Sequence, residues 1–221
     1  MKLLFSGLTK YILGLILVGT LIFLPAGTFA FLGGWLFIAL LFIPIFILGV
    51  VMFIKAPSLL EKRLYNKEKE KTQKGVVALS GIVFLGGFIV AGLDFRFGWT
   101  NVPLAIKIAA SVIFLLSYGI YAEVMRENAY LSRTIKVEEN QKVIDKGLYG
   151  IIRHPMYAAT ILMFLMIPLI LGSLISFIIF LAYPIIIAVR IKNEEKVLTE
   201  NLIGYTEYKQ KVKYKIIPFV W

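Results

Sequence analysis

The stretch PMYAATILMFLMIPLILGSLISFIIFLAYPIIIAVRI, residues 155–191, carries no charged side chain before Arg190. It is too long for one helical crossing of a hydrocarbon core ~30 Å thick, which takes about 20 residues. Pro168, Gly172 and Ser173 interrupt it midway, where a turn is cheapest. The expected form is a helical hairpin, 155–170 and 174–191, with arms of ~24 and ~27 Å at 1.5 Å rise per residue. Such arms barely span a bilayer.

Upstream, apolar runs of spanning length fall at 11–30, 31–54, 76–95 and 102–122. The predicted fold class is therefore all-α: a polytopic integral membrane protein with four transmembrane helices and a C-terminal helical hairpin, to which the resemblance given below adds a cytoplasmic cofactor pocket. Composition agrees. Of 221 residues 59% are hydrophobic and 17% charged, against ~45–50% and ~25% for soluble domains. The first apolar run passes directly into the second with no small-residue cleavage site, so a removable leader is not expected.

The absence of cysteine and the single histidine exclude disulfides, thiolate metal centres and multi-histidine metal sites. No metal is expected. The net charge of +11 would suggest nucleic acid in a soluble protein, but its distribution reads differently. Basic residues cluster at 2–10, 55–75, 126–153 and 190–215, and only Arg96 and Lys107 fall elsewhere. With alternating crossings these clusters share one side, which the positive-inside rule assigns to the cytoplasm together with both termini. The charge then reports topology, and no nucleic-acid partner is expected.

Composition shifts near residue 123. Residues 1–122 read as four transmembrane helices with a basic loop at 55–75, and 123–221 as the region that carries chemistry. Ionisable groups beside a membrane segment are costly and mark candidate sites. A hairpin brings Arg153, His154 and Tyr157, at its entry, close to Arg190 and Glu194, at its exit. Arg190 and Glu194 are four apart and share a helix face. Glu195, one residue on, is expected to point elsewhere and to tolerate alanine. Bland readings remain open on these residues alone: snorkelling arginines, a surface ion pair, and an interfacial belt formed by Tyr149, Tyr157, Tyr205 and Tyr208.

The ordered set Gly147-x-Tyr149-x-x-x-Arg153-His154-Pro155-x-Tyr157, apolar hairpin, Glu194-Glu195-x-x-Leu198, Gly204-Tyr205-x-x-Tyr208 and Ile217-Pro218-Phe219 resembles the isoprenylcysteine carboxyl methyltransferase family and the related phospholipid methyltransferases. The resemblance runs from about Thr134 to Phe219. It implies an integral-membrane methyltransferase that uses S-adenosylmethionine on the cytoplasmic side and takes a lipophilic acceptor from the bilayer. It also implies cofactor contacts from Gln141, Lys142, Val143, Ile144, Tyr149, His154, Pro155, Met156, Tyr157 and Glu194. Arg190 aligns with the acceptor-binding arginine, and Arg153 and Arg190 are the candidate catalytic residues. Ala159 stands where the phospholipid-methylating relatives usually have glycine, which disfavours a phospholipid acceptor. Carboxyl O-methylation is the expected reaction; an N-methyltransferase, a sterol-type reductase with a nicotinamide cofactor and a non-catalytic scaffold are the alternatives.

Overall fold

The computed structural model describes residues 2–64, 71–131, 134 and 137–221. Lys67, Lys69, Arg133 and Lys136, which enter the charge argument above, lie outside the described residues. The described chain is helical with no strand: α1 (Lys2–Ala26), α2 (Leu32–Lys55), α3 (Pro57–Leu64), α4 (Lys71–Phe97), α5 (Leu104–Glu127), a 3-10 turn (Gly147–Gly150), α6 (Pro155–Leu171), α7 (Leu174–Phe180), α8 (Ala182–Asn201) and α9 (Tyr205–Lys211).

Five segments are long and apolar enough to cross a membrane: 3–26, 32–55, 73–97, 104–127, and α7 with α8 taken together. Their outward faces display Ile16, Leu24, Ile54, Leu116, Ile178 and Ile185. A large exposed apolar surface of this kind suits lipid and would aggregate in water. Phe37, Phe114 and Phe180, all fully buried, pack inward with Phe88 and the edge of Phe84. The protein is a multi-pass integral membrane protein.

The 155–191 segment does fold back on itself, with two departures from expectation. Its first arm runs through Pro168 to Leu171, and the turn is made by Gly172 and Ser173 alone. Gly172 adopts φ +85°, its N–H and that of Ser173 returning to the Leu169 and Pro168 carbonyls; glycine takes this left-handed conformation without steric cost. The Ser173 hydroxyl then caps α7 by accepting from the Ser176 N–H.

The second arm breaks once, at Leu181. Pro184 explains the break, because it has no N–H to return to the Phe180 carbonyl, whereas the first turn of a new helix does not need one. The arm then continues to Asn201, ten residues past the expected end. Arg190, Glu194 and Glu195 therefore stand on rigid helix rather than in a tail. The arms also part company in packing: α6 lies mainly on α5, while α7 and α8 lie on α4.

The two ends of the bundle differ in chemistry. At one end Asp94, 1% exposed, accepts from the Thr100 N–H at 2.7 Å and from the Thr100 and Ser173 hydroxyls. This ties the α4–α5 loop to the hairpin turn. A cavity of about 300 Å³ opens here beside Asp94, Thr100 and Lys107, and an apolar groove of about 670 Å³ follows α1 and α2. Neither touches a predicted site residue. The other end gathers α3, residues 137–154, the exit of α8 and the C-terminal tail. Asp94→Ala should lower the unfolding free energy by ~2–4 kcal/mol in thermal denaturation in detergent, because it strips charge-assisted bonds from buried donors, with Asp94→Asn intermediate.

Candidate functional site

The entry to α6 is built by a sequence of local necessities. Gly147 sits at φ +57°, and a Cβ there would collide with the Glu127 carboxylate. That carboxylate, at the end of α5, accepts the Leu148 N–H at 3.0 and 3.1 Å. The 3-10 turn that follows presents Tyr149, whose hydroxyl accepts from Asn128 Nδ2 at 3.0 Å and whose carbonyl accepts from the Tyr208 hydroxyl at 2.7 Å. Burial raises the Tyr149 hydroxyl pKa above the normal range, the Asn128 bond opposing it and the Glu194 and Glu127 charges adding to it. Tyr149 therefore remains a neutral phenol. Pro155 then opens α6, at a position where its missing N–H has no cost.

Two acidic residues on α8 divide this region between them. Glu195 is buried and binds two cations, Arg153 through Nε at 2.7 Å and Lys215 through Nζ at 3.3 Å, and lies 3.2 Å from the His154 ring at Nε2. Arg153 Nη1 also donates to the Val212 and Lys213 carbonyls at 2.7 and 2.8 Å, and the Arg153 and His154 N–H groups donate to the Tyr214 and Lys215 carbonyls. Glu195 thus points elsewhere than Glu194, as expected, but onto buried partners, which speaks against the expectation that it tolerates alanine. It anchors the C-terminal tail to the start of α6. Arg153 is equally a fastener here, since Glu195 and two carbonyls occupy its donors.

Glu194, about 100° around the helix, accepts instead from the Tyr157 hydroxyl. The same hydroxyl accepts from Arg190 Nε at 2.8 Å, and the guanidinium lies 5.8 Å from the Tyr157 ring centre. Tyr157 thus stands between the two groups that the i,i+4 spacing placed on one face. The result is a guanidinium–phenol–carboxylate row joining α6 to α8.

The other predicted residues fall around this row. His154 and Pro155 are buried and Met156 half-buried beneath Arg63 of α3, whose Nη1 lies 3.7 Å from the Met156 sulfur. Val143 packs against Leu198, Leu202 and Tyr205, and Ile144 against the cluster around Tyr149. Gln141 Oε1 accepts the Glu138 N–H, and Lys142 points outward. Tyr149, Tyr157, Tyr205 and Tyr208 are each at most 8% exposed, which removes the interfacial-belt reading. Sequence reasoning missed Arg63, Glu127, Asn128 and Lys215. None of the four had a legible signal, since each meets its partner across about twenty residues of sequence or more.

Among the described residues no group of acids and histidine has the form of a metal site. Residues 107–200 match the model of the isoprenylcysteine carboxyl methyltransferase (ICMT) family. This region is similar to that family over rather less than half of the chain. The match includes α5, which the motifs alone did not reach, and stops before Tyr205 and the tail. No curated protein matches the chain. Methyl transfer is the chemistry of the ICMT family, and the five apolar helices set it in a membrane.

Glu195→Ala should destabilise the fold by about 3–5 kcal/mol, the usual consequence of leaving a buried arginine without its counter-ion. Limited proteolysis should release the segment after Lys211 faster in this variant than in the wild type, and Glu195→Gln should fall between them.

Proposed function

We propose that the protein is an S-adenosylmethionine-dependent carboxyl O-methyltransferase that acts on a lipophilic acid drawn from the bilayer, at the basic, cytoplasmic end of the bundle. The observation that carries this reading is the Arg190–Tyr157–Glu194 row. It sits where α6 and α8 leave the hydrocarbon, within reach of a water-borne cofactor from one side and a lipid-borne acceptor from the other.

The residues present fit the cofactor. The Tyr205 hydroxyl is buried beside Glu194 and Glu195 with no hydrogen-bond partner among the described residues, as in a site completed by a ligand. Glu194 offers a carboxylate to an amine or to ribose hydroxyls, while the faces of Tyr149 and Tyr157 suit a sulfonium cation. Val143 packs on the Tyr205 cluster and Ile144 on that of Tyr149, and we assign Gln141, Lys142, His154, Pro155 and Met156 to the rim of the same site. Because Glu195 holds Arg153 and His154, we assign Arg153 a positioning role and His154 a contact made from a fixed ring.

When bound, S-adenosylmethionine supplies a methyl group on a sulfonium, which leaves as a neutral thioether. Arg190 would pair with the acceptor carboxylate, its plane set by the Nε bond to Tyr157. A guanidinium matches two carboxylate oxygens and would repel an amine. The nucleophile is already ionised, so the site needs no general base; alignment and removal of water account for the rate. From α3, Arg63 reaches the Met156 sulfur and the Tyr121 ring at this end.

Isothermal titration in detergent should show S-adenosylhomocysteine binding, weakened about ten- to a hundredfold by Glu194→Ala, which removes one or two charge-assisted bonds. Unchanged affinity in that variant would remove Glu194 from the site, and no binding by the wild type would end the cofactor reading. With methyl-labelled cofactor and a membrane lipid extract, mild alkali should release labelled methanol from the product. Arg190→Ala should abolish that release while leaving cofactor affinity within about twofold, and Arg190→Lys should restore only part of it. An alkali-stable product would identify N-methylation instead.

A further inference from the structure

Tyr205 and Tyr208 stand one turn apart on α9, in the same buried cluster with Leu202 and Val212, and their hydroxyls fare differently. The Tyr208 hydroxyl donates to the Tyr149 carbonyl at 2.7 Å. The Tyr205 hydroxyl has no partner among the described residues, although the residue is only 4% exposed. A phenylalanine would fill the same space without burying an unsatisfied hydroxyl. Buried polar groups in folded proteins are paired with few exceptions, and an exception asks for a missing water or ligand.

The surroundings narrow the ligand. The apolar neighbours are Val137, Val143 and Leu198, a set that suits the face of a flat heterocycle. The charged neighbours are Glu195, Glu194 and Arg153. Two acids against one base, the base already bound to Glu195, repel a ligand carboxylate. Burial first, then the two acids, holds the Tyr205 hydroxyl well above its ordinary pKa, so it stays protonated and can donate.

We infer that the Tyr205 hydroxyl is a ligand-binding group of the site, donating a hydrogen bond to the nucleoside part of the adenosyl cofactor rather than to its amino-acid end. The inference rests on the cofactor reading proposed above and extends the site to α9, beyond the matched region 107–200. In this arrangement Val143 and Leu198 hold the base, Tyr205 reads one acceptor on the nucleoside, and Glu194 remains for hydroxyls or amine.

The test is Tyr205→Phe in the full chain in detergent, with Tyr208→Phe as comparison. Ligand-free thermal stability should be unchanged or higher in Tyr205→Phe and lower in Tyr208→Phe, which strips the Tyr149 carbonyl of its donor. Affinity for S-adenosylhomocysteine should fall about three- to tenfold in Tyr205→Phe. 5′-Methylthioadenosine, which has the nucleoside and thioether but no amino-acid end, should lose the same factor when competed against labelled S-adenosylhomocysteine. Equal affinities of wild type and Tyr205→Phe would overturn the inference, as would a loss confined to S-adenosylhomocysteine or a lowered ligand-free stability. A wild type that binds neither compound would instead overturn the cofactor reading itself, and the inference with it.

Discussion

The Glu195 carboxylate is the point on which the functional end of this protein depends. Arg153 and His154 reach it from the start of α6, Lys215 from the C-terminal tail, and Glu195 itself belongs to α8. Three segments distant in sequence are thus pinned by one side chain that is 9% exposed. A buried ion pair rarely adds much net stability, since desolvating both partners offsets most of their attraction. What it does supply is specificity of register. Once Arg153 is committed to Glu195, its remaining donors meet the Val212 and Lys213 carbonyls, and the tail has one position along α6 rather than several.

That register matters because of where the site sits. Within hydrocarbon every backbone polar group must be paired in its own helix or barrel, so irregular backbone able to surround a polar ligand belongs at the ends of the helices. The chain places 137–154 and the largely irregular 202–221 at the same end, and Glu195 locks them together. The opposite end uses the same device on a smaller scale: Asp94 gathers Thr100 and Ser173 and fixes the hairpin turn. Each end of the bundle is therefore closed over a buried acid.

Much of this was legible in the sequence. The four long helices α1, α2, α4 and α5 followed from run length, and the turn at Gly172-Ser173 followed from turn chemistry, because both depend on local rules. Pro168 misled, since a proline in the last turn of a helix forfeits little. Pro184 acted unseen, breaking the second arm at Leu181 and so adding a new helix start. The pairing of Tyr157 with Glu194 was legible only as proximity, not as a bridge to Arg190. Glu195 was misread for a definite reason. Helical phase tells that residues 194 and 195 face different ways, but not what lies on each side, and the tail that covers Glu195 returns from twenty residues downstream. Long-range return of chain has no local signature.

The adjacent glutamates show how a short sequence can separate support from chemistry. Successive residues on a helix diverge by about 100°, so a Glu-Glu pair presents one carboxylate to each of two neighbours. Glu195 meets cations that are permanently engaged and fixes the backbone of the α6 entry. Glu194 meets a phenol, a weaker and neutral partner that a ligand could share or displace at modest cost. The same division recurs in the tyrosines of α9, where Tyr208 is committed to the Tyr149 carbonyl and Tyr205 is not. In both pairs the residue bound into the fold lies beside the one that the proposed function gives to the ligand. The supporting member holds its neighbour within a fraction of an ångström of the geometry that binding requires, which is what preorganisation of a polar site demands.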